Sequence, residues 1–259
     1  MTLSGRSFTL VLGGLAALLA ISLRNMASAK DEKLWQLNYD TGVAPAHLYL
    51  ADNGVKIEYW KHLNLLSVAP KWQLSYYSKK VGKCFDLPLS HSMMATEAGS
   101  ASYDFRKARP GGSENWCGAK ADKMILPLTV FRFNGFSSLV TEDAVKAKEI
   151  DLYETASVPL AKNTLLGAQA FFCERYGVRS SKLPLGLKVI QADGTDLWLF
   201  KLRSIRQMPY KDDLFVKPKN LKAAKTMGEI VLDDQQRSAM SDMAEDMNLG
   251  EAFGTKQKK

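Results

Sequence analysis

The sequence predicts an α+β protein built mainly on antiparallel β-structure, and three observations predict it. Short segments alternate apolar and polar residues with the period of two that a half-buried strand requires. Asn-Gly and Asp-Gly turns separate several of them, and both pairs accept the positive φ of tight hairpins. One longer segment instead carries the start and stop residues of a helix.

Residues 46–51, 54–60, 63–68, 72–78 and 83–88 read as five consecutive strands. Asp52-Asn53-Gly54 turns the first into the second, where Val55, Ile57 and Tyr59 alternate with Lys56 and Glu58. Ala69-Pro70-Lys71 breaks the chain before Trp72, Leu74 and Tyr76, which alternate with Gln73, Ser75 and Tyr77. The spacing predicts a meander. Residues 90–122 lose periodicity, and Arg109-Pro110-Gly111-Gly112-Ser113 is loop chemistry, so this stretch reads as a flexible insertion. Strands are expected again at 124–131, 145–153 and 157–160, with a helical turn over Ala144–Glu149 as the alternative for the start of the second. Asn163 would cap a helix over 164–176, with Gly177 as its stop and Leu165, Leu166, Ala168, Phe172 and Cys173 on its apolar face. Strands at 184–191 and 196–207 flank Ala192-Asp193-Gly194, and a break in phase near Ser204 predicts a bulge. A Pro- and Lys-containing segment at 213–225 precedes a closing helix at 233–249, with Met240, Met243, Met247 and Leu249 at helical spacing. The last ten residues should fray. One domain over 30–232 is expected, because a five-stranded meander alone would leave a face uncovered.

The chain opens with Arg6, an apolar run from Phe8 to Ile21 and Ala27-Ser28-Ala29, the make-up of a secretory signal peptide. The run is shorter than a membrane-spanning helix needs. Residues 1–29 are therefore expected to be cleaved and the protein exported to the periplasm or beyond. An uncleaved anchor is the alternative. Removing Arg6 and Arg24 lowers the formal charge from +8 to +6. The basic residues are scattered and form no stripe with stacking aromatics, which argues against nucleic acid. Peripheral contact with an anionic envelope surface remains, and a monomer is expected.

Little in the sequence carries chemistry. His47, His62 and His91 have no metal-ligand spacing, and no C-x-x-C is present. Neither G-x-S-x-G nor S-x-x-K occurs. Ser90-His91-Ser92 sits in loop chemistry, and Glu142-Asp143 and Asp212-Asp213 read as solvated surface. No catalytic residue, metal site or cofactor is therefore assigned. Among the cysteines, Cys84 and Cys117 flank the insertion, and export permits a bridge between them worth roughly 3–4 kcal/mol by loop entropy. Cys173 reads as a buried thiol. Tyr49, Val55, Ile57, Tyr59, Trp72, Leu74 and Tyr76 would share one face of the sheet. They form either an ordinary core beneath the helix or the lining of a cavity for an apolar ligand.

The ordering resembles the LolA/LolB-like periplasmic lipoprotein-carrier fold and its lipoprotein-sorting relatives. The likeness spans residues 45–232 and rests on Asn53-Gly54-Val55-Lys56-Ile57, Trp72, Tyr76-Tyr77, Ile150-Asp151-Leu152-Tyr153-Glu154 and Asp193-Gly194. It extends to Asp213-Leu214-Phe215-Val216-Lys217-Pro218, where Phe215 and Pro218 match a Phe-x-x-Pro element. The resemblance implies a curved, open half-barrel whose concave face is covered by helices, with a hydrophobic cavity for acyl chains between. The insertion at 90–122 and the C-terminal helix depart from that pattern. The expected function is that of a non-enzymatic carrier of a lipid or acylated ligand. An envelope interaction module with a filled core and an exported hydrolase are the alternatives.

Overall fold

The structure, a computed structural model, describes residues 33–42, 44–59, 62–92, 102–103, 107–130 and 147–232. The expected signal segment and the closing helix at 233–249 lie outside the described residues.

The meander forms as its alternation requires: β2 (Ala46–Ala51), β3 (Gly54–Tyr59), β4 (Leu63–Val68), β5 (Gln73–Ser78) and β6 (Lys83–Pro88) pair antiparallel in sequence order. A further strand that the turn signals do not mark, β1 (Lys33–Thr41), precedes them and pairs with β2. The chain then makes a short helix α1 (Leu89–Ser92), in place of the expected loop, and crosses to the far side of the sheet. There β7 (Ser102–Tyr103), β8 (Arg109–Trp116), β9 (Ala119–Val130), β10 (Ala147–Thr155), β11 (Leu183–Gln191) and β12 (Asp196–Pro209) complete an antiparallel array. A two-residue strand, β13 (Lys222–Ala223), runs parallel to β6. The strand order is β13-β6-β5-β4-β3-β2-β1-β12-β11-β10-β9-β7, with β8 also paired to β9. The sheet is curved and unclosed, joined at its middle by β1 and β12.

Strand β12 carries two bends. Opposite Asn38 and Tyr39 the register passes from Ser204 to Leu202, leaving Arg203 as an extra residue. Opposite Leu187 and Lys188 it passes from Phe200 to Trp198, leaving out Leu199. Each such bulge bends the strand and adds twist. The first is the expected break near Ser204. The second shifts the phase, so Phe200 and Leu202 face the core while Trp198 packs with Lys201 outside.

Helix α2 (Lys162–Tyr176) lies on the concave face. It ends as expected at Gly177, whose φ of 69° lets its N–H reach back to the carbonyl of Cys173. It begins earlier than expected, with Ala161 rather than Asn163 at the cap position. Its side chains fill the face: Phe172 packs edge-on against Tyr39, with ring centres 5.5 Å apart, and at 4.8 Å from Phe200. Phe171 meets Tyr59 in the same way at 5.5 Å.

The outer face is also buried over the meander. Beyond β12 the chain folds back through a 3₁₀ turn, Asp212–Phe215, and lays Phe215 on it beside Leu34, Ala51, Leu66, Tyr77 and Cys84. Gly54 has no side chain because none would fit: a Cβ there would lie 2.7 Å from the Phe215 ring. Tyr210 stacks on Phe215 at 5.5 Å and accepts a hydrogen bond from Asn53, and Lys217 pairs with Asp86 at 2.7 Å.

Three expectations are corrected here. Residues 109–122 belong to an exposed hairpin, β8–β9, rather than a loose insertion. Residues 157–160 form no strand but a connector leading into α2. The Cys84–Cys117 bridge is not made. Cys84 is buried in β6, whereas Cys117 is exposed at the β8–β9 turn, its Sγ directed at the Arg203 carbonyl 3.2 Å away. Cys84 sits in β6 near one end of the strand order, whereas Cys117 reaches β12 near its middle, so positions that flank the insertion in sequence do not meet. Cys173 is buried as expected.

Thiol labelling is expected to modify Cys117 in the native protein and all three cysteines after unfolding without reductant; fewer than three would restore a bridge. Phe215→Ala should cost about 3–5 kcal/mol in urea unfolding. A loss under about 1 kcal/mol would mean that the outer cluster adds little.

Candidate functional site

Of the seven residues expected on one face, five come together. Val55, Ile57, Tyr59, Leu74 and Tyr76 share the concave-face cluster with α2 and are at most 5% exposed. Tyr49 does not join them. It points to the outer face, where the Lys56 ammonium lies 5.7 Å from its ring centre. Trp72 precedes β5 and turns the chain at a φ of 46°. The alternation that suggested both is real, but β2 runs in the opposite phase at Tyr49, and Trp72 lies outside its strand.

Among the described residues, a cleft opens on the concave side at one end of the sheet. Strands β1 and β12 project past the start of α2 there, and the connector at 156–161 crosses over them before Thr164 donates to the carbonyl of Ala51 at 2.7 Å. Between connector and sheet is a cleft of about 400 Å³. Its apolar walls are Trp35, Leu50 and Leu160, and its exposed polar groups are Lys33, Asp52 and Gln207. Trp35 pairs with Leu50 on one side and with Gln207 on the other, so a single rung of three strands forms the floor. None of these residues is among those expected from the sequence. The alternation of Trp35, Leu37 and Tyr39 is the signal that could have found β1 and with it this floor.

The opposite end of α2 is tethered by polar contacts. The Tyr76 hydroxyl donates to Glu174, and Arg175 donates to the Tyr59 hydroxyl at 3.0 Å while its guanidinium lies 5.1 Å from that ring centre. Burial raises the Glu174 carboxyl to about 7, although the Tyr76 hydrogen bond pulls it down. Burial, together with the facing carboxylate, raises the Tyr76 hydroxyl well above its ordinary range.

A second aromatic cluster carries no signal in the sequence. Trp116 stacks on Tyr153 at 4.5 Å and meets Trp198 at 5.5 Å, with the Lys201 ammonium 4.7 Å from the Trp198 ring centre. Beside it Asp151, fully buried, pairs with Lys123 at 2.7 Å and Lys188 at 3.4 Å. These contacts hold the β8–β9 hairpin onto β10–β12. Among the described residues no group of three or more His, Cys, Asp or Glu is placed to hold a metal ion. Among them, too, no helix is long and apolar enough to cross a membrane.

The architecture is thus an open antiparallel half-barrel roofed by helices, with a cleft at one end. No protein-family model matches the chain, and no curated protein matches it. Solved structures with partial likeness include an uncharacterized conserved protein from Thermus thermophilus. That alignment covers 74% of this chain and 89% of the other at 11% identity and a TM-score of 0.39. MucB of Pseudomonas aeruginosa, solved with MucA, aligns over 79% of this chain and 62% of its own at 12% identity and a TM-score of 0.35. This chain therefore spans about three fifths of the MucB chain. A LolA-superfamily protein from Nitrosomonas europaea aligns over 73% and 91% at 9% identity and a TM-score of 0.21. Likeness of this degree assigns no activity.

The Glu174 carboxyl makes stability depend on pH in a defined direction. Below its ordinary value near 4.5 both folded and unfolded chains carry the proton; from there to about 7 only the folded chain does. The group's contribution to stability therefore falls as pH rises through that interval. Glu174→Gln is expected to flatten the fall and to exceed the wild type at pH 8 by roughly 1–3 kcal/mol. Urea midpoints at pH 5 and pH 8 measure this; parallel slopes for the two proteins would refute the assignment.

Proposed function

We propose that the protein is an exported, non-catalytic binding protein that holds one apolar chain of a small ligand in the cleft at the end of its concave face. The observation that carries this reading is the cleft itself. At about 400 Å³ it lies within the size range of small-molecule sites, and Trp35, Leu50 and Leu160 give it apolar walls. Export is supported by the signal-like composition of residues 1–29. The large central hollow implied by resemblance to the carriers is not part of this reading, because Phe171, Phe172 and Tyr176 occupy that face. The filled centre favours a second reading, an envelope interaction module that binds a partner through its surface and takes no ligand inside.

A fluorescent fatty acid titrated into the purified protein is expected to bind saturably. Leu160→Trp, which fills the cleft, should weaken that binding at least tenfold while leaving the far-ultraviolet circular dichroism unchanged. Absence of saturable binding to the wild type would overturn the proposal and leave the interaction module.

A further inference from the structure

The back of the cleft floor carries a hydrogen-bonded plate of polar side chains. Trp35, Leu50 and Gln207 line the cleft, so their chain neighbours Gln36, Tyr49 and Arg206 point to the other face of the sheet. Beside that rung lies another, formed by Ser204, Asn38, His47 and Glu58 on β12, β1, β2 and β3.

One cation orients the plate. The Arg206 Nε–H can only donate, and it donates to Gln36 at 2.8 Å, so the facing atom of Gln36 is its oxygen. The Gln36 nitrogen then faces Asn38 at 3.5 Å and the Tyr49 hydroxyl at 3.4 Å. Asn38 must turn its oxygen to that nitrogen, because the reverse would set two amide NH2 groups against each other. The same oxygen lies 2.7 Å from His47 Nδ1, so Nδ1 carries the proton of the neutral ring. The Asn38 nitrogen donates to the Ser204 hydroxyl at 2.7 Å. Among the described residues this leaves three groups free: the His47 Nε2 lone pair as an acceptor, and the Ser204 proton and outer Arg206 nitrogens as donors. Lys56 and Glu58 neutralise each other beside them at 2.7 Å.

A phosphate or carboxylate would meet Arg206 but face the Nε2 lone pair. A cation would face Arg206, and an apolar surface would leave all three groups unpaired. Neighbouring hydroxyls answer all three, because each one both donates and accepts.

We propose that this plate is a second binding site, separate from the cleft, and that it takes a neutral saccharide by its ring hydroxyls. One hydroxyl donates to His47 Nε2, and others accept from Ser204 and Arg206. Asn38 bonds both His47 and Ser204, so a single amide group separates the two. Gln36 and Asn38 act as positioning residues that hold the ring and the hydroxyl in their roles.

The test begins with the wild-type protein at pH 8, where long-range nitrogen–proton correlation spectra read the His47 tautomer. A protonated Nδ1 and a bare Nε2 are expected; the reverse pattern would overturn the proposal. Maltose, cellobiose and chitobiose are then titrated, with inorganic phosphate as the anionic arm. At least one disaccharide is expected to shift the Nε2 resonance saturably, and phosphate is not. Ser204→Ala and His47→Phe should each weaken that disaccharide about fivefold, the loss of one hydrogen bond, with unchanged far-ultraviolet circular dichroism. Arg206→Met should release the amides and admit the second tautomer; a tautomer unchanged in this variant would overturn the orienting role of Arg206. A response to phosphate in place of the disaccharides would overturn the ligand class. Silence from all three disaccharides would overturn the site, as would binding that survives both Ser204→Ala and His47→Phe.

Discussion

Phe172 decides most of this architecture. An unclosed sheet with an apolar concave face cannot stay open to water, and Phe172 is the side chain that α2 drives into its middle. It touches Tyr39 of β1 and Phe200 of β12, the two strands that join the meander to the later array. Tyr39 in turn anchors its buried hydroxyl on the carbonyl of Pro184 in β11, and burial pushes that hydroxyl far above its ordinary range. One helix therefore binds both halves of the sheet at their junction. Its entry point then fixes the connector at 156–161, and the connector creates the cleft. The site is a by-product of how the roof is attached.

The same logic explains why the meander is buried on both sides. A sheet covered on one face should alternate apolar and polar residues. In β5, however, Leu74 and Tyr76 face α2 while Ser75 and Tyr77 are buried on the outer side. The 3₁₀ turn carrying Phe215 supplies that second cover, and Gly54 leaves room for its ring. Two-sided burial covers both faces of this half, and among the described residues the cleft lies at the margin, beside the start of α2.

Much of this is legible in the sequence. The boundaries of β2 to β6 follow from turn residues and from alternation between them, and Gly177 marks the end of α2. Asp193-Gly194 turns as expected, with the Asp193 carboxylate accepting from the N–H and hydroxyl of Thr195. What stays hidden depends on long-range pairing. Strand β1 alternates as clearly as β3, but no turn residue separates it from the N-terminal segment. Strand β8, with Pro110, Gly111 and Gly112, has no strand-like composition; its pairing with β9 overrides local preference. The cleft cannot be read at all, because Trp35, Leu50, Leu160 and Gln207 are scattered along the chain and meet only through register.

An open sheet has two rims, and a rim of unpaired backbone invites strand-for-strand stacking between molecules. At one rim β13 covers only the first residues of β6. At the other, Pro110 brings no N–H to the margin of β8, and the register slips between Pro110 and Ser113. The glycines and proline that make this stretch look like a loop thus serve as an insulator. They let the barrel remain unclosed without turning the protein into the seed of a fibre.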